Sequence, residues 1–193
     1  MGFGFNYFSS FIFWIIIVVF PIYTINWLMK ILITGSVKSG KSTNAEKLIL
    51  DLSEGMIPIY LATCEMFDPE MGKRIKEHRQ RRGKKFHTIE ESLYLSEAIK
   101  DQKNPVLIEC MTMWLNNVIH YNFSEKKIFT EIENLLALEN DLIFVLNEVG
   151  MGIIPANPLA RIFSDLSGRI SQKLGNSCDE VNLCVAGILV KLK

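Results

Sequence analysis

Two stretches of this chain carry residue types that could do chemistry. The first is "GSVKSGKS", Gly35 to Ser42, which fits the pattern G-x-x-x-x-G-K-[ST]. Gly35 and Gly40 let the backbone curl, so that successive N–H groups face phosphate oxygens beside the positive end of a following helix. Lys41 would reach the outer phosphates, and Ser42 would offer its hydroxyl to Mg²⁺, which prefers oxygen ligands and keeps several waters. The second stretch is "RIKEHRQRRGKK", Arg74 to Lys85, which gathers seven cations around His78. Nearby cations disfavour the imidazolium, so the ring tends towards the neutral, nucleophilic form near pH 7. A neutral imidazole attacking an α-phosphorus, with pyrophosphate leaving, would divide a nucleotidyl transfer into two easier steps. A partly buried helix histidine on a solvated basic face is the other reading of the same residues.

The elements that must position these groups are legible as short apolar runs alternating with helix-like stretches, the pattern of an α/β protein with a mainly parallel sheet. The expected strands are "ILIT" (31–34), "IPIYLAT" (57–63), "PVLIEC" (105–110), "DLIFVLN" (141–147) and "EVNLCVAG" (180–187). Ala45, Leu48, Ile49 and Leu52 recur at helical spacing, as do Leu159, Ile162, Phe163 and Leu166. Five strands with helices between them make a P-loop NTPase-like three-layer sandwich. "PVLIEC" places Glu109 at a strand end, where its carboxylate could hold Mg²⁺ through water or take a nucleotide hydroxyl. If residues 69–82 are helical, Met71, Ile75, His78 and Arg82 share one face, with Arg74 one turn before the histidine.

Composition narrows the function classes. Twenty-one basic and twenty-one acidic residues cancel, which argues against a nucleic-acid binder and makes any positive field local. Cys64, Cys110, Cys178 and Cys184 form no C-x-x-C pair and have no zinc-like histidine spacing, so they read as reduced, mostly buried cytosolic thiols. Residues 1 to 28 are an uncharged apolar leader. It is a membrane anchor, a segment upstream of a true start at Met29, or a core helix; the missing basic n-region speaks against a secretory signal. Residues 29–193 make a single nucleotide-binding domain.

"ILITGSVKSGKS", "DPEMGKRIKEHRQRR", "NEVGMGIIPANPLARIFSDLSGRISQKL" and "DEVNLCVAGILVKLK" together resemble the bifunctional adenosylcobinamide kinase / adenosylcobinamide-phosphate guanylyltransferases of cobalamin biosynthesis. The resemblance spans about Met29 to Lys193. It implies a cytoplasmic homotrimer that phosphorylates adenosylcobinamide with ATP or GTP, then moves GMP from GTP onto that phosphate. It implies that His78 carries GMP as a phosphoramidate. It also implies nucleotide contacts from Gly35, Ser36, Val37, Lys38, Ser39, Gly40, Lys41 and Ser42, and from Ala62, Thr63 and Cys64. Arg79, Gln80, Arg81, Arg82, Glu90 and Glu109 complete that set, with Mg²⁺ held by Ser42 and Glu109. The chain departs from the family pattern at Ser36, Val37, Lys38, Phe86, Ser171 and Leu189, and none of these departures removes a residue with a proposed chemical role. Lys38 in place of arginine keeps the charge and loses the planar fork. Two rivals make different demands: a generic P-loop kinase or ATPase with His78 idle, and a membrane-tethered nucleotide switch that needs residues 1 to 28.

Overall fold

The computed structural model describes residues 28–65 and 83–193. In chain order the described elements are β1 (Lys30–Gly35), α1 (Lys41–Leu52), β2 (Ile59–Ala62), β3 (His87–Glu90), α2 (Leu95–Ile99), β4 (Val106–Glu109), α3 (Met111–His120), α4 (Glu125–Ala137), β5 (Leu142–Asn147), α5 (Pro158–Ser177), β6 (Glu180–Val185) and β7 (Ile188–Lys191). The sheet has seven strands in the order β3-β2-β4-β5-β1-β6-β7, and every neighbouring pair is parallel except β6 with β7. The expected α/β class and mainly parallel sheet are therefore present.

Central strands buried on both faces read as continuous apolar runs, and β1 and β5 fit that rule. Alternate residues of β1 face opposite layers. Ile31 and Ile33 pack with Ala45 and Ile49 of α1, while Leu32 joins the cluster built from α2, α3, α4 and α5. Among the described residues one helix thus covers one face and four cover the other, which makes the three layers. Trp114 of α3 is fully buried in the larger cluster and donates its indole N–H to the Leu93 carbonyl at 3.0 Å. Phe86 meets Tyr60 edge-on, with ring centroids 5.7 Å apart, on the α1 side.

The structure corrects the sequence reading in three places. The sheet has seven strands, not five, because β3 and β7 lie at its two edges and lack a long apolar run. The expected strand at 180–187 ends at Val185, because Ala186 (φ 51°) and Gly187 (φ 84°) take left-handed conformations and turn the chain into β7. In α5 the buried positions are Ser167, Ile170 and Leu174, whereas Leu159 and Ile162 are exposed. Phe163 and Leu166 of the expected stripe do pack against the larger core cluster, so the stripe begins about one turn too early. The basic run with His78 lies outside the described residues.

Candidate active site

The carboxyl ends of the parallel strands converge on one edge of the sheet, the usual place for a ligand in such folds. Along this edge Ala62 is in register with both Glu90 and Glu109, and Gly35 with both Asn147 and Cys184. The strand β1, the loop Gly35–Gly40 and helix α1 follow one another without a break, as the sequence pattern requires. Gly35 has φ 147°, and a Cβ there would run into the Cys184 carbonyl oxygen. Gly40 (φ 99°) is the N-cap of α1, and no side chain caps that end. Its free N–H groups and the helix dipole therefore face the loop.

Lys41 is buried, and its Nζ donates to the Ser36 carbonyl at 2.6 Å and to Ser39 Oγ at 3.5 Å. Burial pushes its ammonium below the ordinary lysine range, opposed chiefly by the nearby Glu109 carboxylate. A phosphate oxygen entering the loop could take over the donor now spent on Ser36. Ser36, Val37 and Lys38 form the exposed crest, with Lys38 in the left-handed region at φ 57°. Ser42 Oγ donates to Glu109 Oε1 at 2.7 Å. This hydroxyl and carboxylate, two hard oxygen groups beside a phosphate cradle, fit Mg²⁺, which is commonly held by one or two protein oxygens together with substrate phosphates. Among the described residues no group of three or more His, Cys, Asp or Glu could hold a metal ion.

The expected contacts after β2 divide by role. Ala62 reaches the strand edge, and Cys64 is half-buried with its thiol 3.5 Å from the Glu65 carbonyl. Thr63 is fully buried. Its hydroxyl donates to the Cys110 carbonyl at 2.8 Å and accepts from the Cys110 N–H at 2.9 Å, so it positions the end of β4 beside Glu109. Asn117, fully buried in α3, donates to the carbonyls of Thr63 (2.7 Å) and Ser92 (3.2 Å) and ties the connections after β2 and β3 to that helix. Thr112 Oγ1 accepts from the Asn147 N–H at 2.7 Å, and the Glu148 N–H donates to the Gly35 carbonyl at 2.8 Å. Glu90 is exposed at the end of β3. His78, Arg79, Gln80, Arg81 and Arg82 lie outside the described residues.

Asn117, Thr112 and Glu148 were missed as supports because a single buried amide or hydroxyl leaves no short pattern. The "NEVGMGI" and "NPLAR" blocks do carry a signal. Asn157 caps α5 by accepting from the N–H groups of Leu159 (2.8 Å) and Ala160 (3.3 Å), with Pro158 at the first helical position. Arg161 returns to the carbonyls of Pro155 (3.0 Å) and Ala156 (2.7 Å), and Glu148 accepts from the Gly150 N–H at 2.6 Å. The blocks thus shape the connection that leaves the phosphate loop's neighbour, β5.

The model of the cobinamide kinase / cobinamide phosphate guanyltransferase family matches residues 31–192. The bifunctional adenosylcobalamin biosynthesis protein CobU of Escherichia coli (strain K12) is 40% identical over 184 residues, covering 86% of this chain and 100% of that protein. The protein of the same name from Salmonella typhimurium is 38% identical over 184 residues, again 86% of this chain and 100% of that one. CobP of Pseudomonas aeruginosa, likewise named a bifunctional adenosylcobalamin biosynthesis protein, is 36% identical over 172 residues, 86% of this chain and 98% of its own length.

Proposed function

This chain belongs to the cobinamide kinase / cobinamide phosphate guanyltransferase family, and from that premise we propose that it catalyses both reactions of the family's name in cobalamin biosynthesis. The first moves a phosphoryl group from ATP or GTP to the hydroxyl of adenosylcobinamide. The second moves GMP from GTP to the resulting phosphate, giving adenosylcobinamide-GDP and pyrophosphate. The observation that carries this reading is the family match over 31–192 together with a phosphate loop whose Ser42 meets Glu109 at 2.7 Å.

The phosphate loop binds the triphosphate by its inward N–H groups, and Lys41 neutralises the outer phosphates. Ser42 and Glu109 hold Mg²⁺, which when bound supplies charge neutralisation at the phosphates. Phosphoryl transfer demands mainly positioning and electrostatic support, which these residue types offer. In the second reaction His78 attacks the α-phosphorus: an N–P bond forms, the bond to the β-phosphate oxygen breaks, and pyrophosphate departs. A phosphate oxygen of the corrinoid then displaces the imidazole, so the N–P bond breaks and a new P–O–P linkage forms. Arg79, Gln80, Arg81 and Arg82, with Ala62, Cys64 and Glu90, serve as nucleotide contacts.

The protein acts in the cytoplasm as a homotrimer. The exposed apolar side chains of Met151, Ile153, Ile154, Leu159 and Ile162 support subunit association, because a monomer would leave them in water. No helix of the described residues is long and apolar enough to cross a membrane.

The test is direct. Incubation with adenosylcobinamide, ATP, GTP and Mg²⁺ should yield adenosylcobinamide-GDP by mass, with one pyrophosphate per product. ATP hydrolysis that ignores the corrinoid would favour the generic kinase instead.

A further inference from the structure

We infer that the β6–β7 hairpin is a positioning element for the phosphate loop, linked to it by Asn44 and Cys184. The inference rests on the reading of Gly35–Ser42 as the nucleotide's phosphate site.

The loop leans on the hairpin at both of its glycines. Gly35 is in register with Cys184, and a Cβ on Gly40 would lie 3.0 Å from Gly187 Cα. The Ser39 carbonyl accepts from two hairpin donors, the Gly187 N–H at 2.8 Å and the Cys184 thiol at 3.1 Å. Asn44, in the first turn of α1, donates to the Gly187 carbonyl at 3.0 Å and to the Gly40 carbonyl at 3.0 Å. The left-handed turn at Ala186 and Gly187 presents Gly187's N–H and carbonyl to the loop.

The consequence follows from the planar trans peptide, in which C=O and the next N–H point in opposite directions. Holding the Ser39 carbonyl against the hairpin turns the Gly40 N–H the other way, into the concave side of the loop. The Gly40 carbonyl is held twice by Asn44, by its backbone N–H at 3.1 Å and by its side-chain amide at 3.0 Å, which does the same for the Lys41 N–H, and the side chain adds the tie to the hairpin through the Gly187 carbonyl. Asn44 and Cys184 touch no phosphate in this arrangement; they fix the direction of the donors that do. Preorganised donors cost less reorganisation on binding than donors that must first be turned.

The test uses the full chain and measures, by calorimetry in excess Mg²⁺, the Kd of a GTP analogue with a methylene between its α- and β-phosphorus atoms, which His78 cannot cleave, together with the KM and kcat of both reactions and the melting temperature. Asn44→Ala is expected to raise Kd and both nucleotide KM values about tenfold, with kcat changing less and melting shifted by only a few degrees. Cys184 separates positioning from packing. Cys184→Ser keeps a donor to the Ser39 carbonyl and should retain the wild-type Kd, while Cys184→Val fills the buried position without a donor and should weaken binding several-fold. If packing were its role, valine would outrank serine. Wild-type Kd in both Asn44→Ala and Cys184→Val would overturn the inference, as would Cys184→Val binding better than Cys184→Ser. Wild-type protein that does not bind the analogue would overturn the phosphate-site reading itself.

Discussion

Ser42 Oγ lies 2.7 Å from Glu109 Oε1 and donates a hydrogen bond to it. Sixty-seven residues separate them in sequence, and the contact joins the start of α1 to the end of β4. Glu109→Gln keeps the shape and removes the charge. It is expected to raise the Mg²⁺ concentration needed for half-maximal activity ~10- to 100-fold, the usual loss for a disturbed metal shell. A magnesium titration of kinase turnover checks it; an unchanged midpoint would remove Glu109 from the metal site.

Lys41 gives a pH dependence whose sign is fixed by its burial. Its ammonium is lowered from the ordinary lysine value, chiefly by desolvation, and phosphate binding needs the charged form. The affinity for GTP should therefore hold at neutral pH and fall as pH rises through the lowered value, before a free lysine (pKa about 10.4) would titrate. Lys41→Arg should bind with a flat profile over the same range, since guanidinium stays protonated. Calorimetry from pH 7 to 10 reads both; identical slopes would contradict the assignment.

Gly35 has no room for a side chain, because a Cβ would collide with the Cys184 carbonyl and the backbone sits at φ 147°. Gly35→Ala is expected to cost about 1–3 kcal/mol of stability and to abolish GTP binding at concentrations that saturate the wild type. Urea unfolding and calorimetry test the two halves separately.

Thr63 and Asn117 form a buried relay beneath the site. Asn117→Ala strands the carbonyls of Thr63 and Ser92, and Thr63→Val strands the Cys110 N–H. Each is expected to destabilise the fold by ~1–3 kcal/mol, read as a lower urea midpoint at unchanged slope.

How much of this was legible depends on the kind of signal each residue leaves. The loop Gly35–Ser42 was readable because its chemistry is local: curl, cation and hydroxyl sit in eight consecutive residues with a strand before and a helix after. Glu109 was readable because an apolar run ends on a charge. Its distance to Ser42 was not, since strand order is set by packing between remote segments. β7 was hidden because the expected strand "EVNLCVAG" runs through the left-handed turn at Ala186 and Gly187, and the four residues Ile188–Lys191 beyond it are too short a run to mark a strand of their own. The hairpin's grip on Ser39 was hidden with it. Leu159 and Ile162 misled because periodicity marks an apolar face without naming what covers it.

The central claim is that His78 carries GMP, and it is tested most directly by incubating the protein with Mg²⁺ and GTP labelled at the α-phosphate, denaturing it and counting bound label. Acid-labile, alkali-stable label that vanishes in His78→Ala is the predicted result. Absence of label in a wild-type protein that still hydrolyses ATP, or label that survives in His78→Ala, would contradict it.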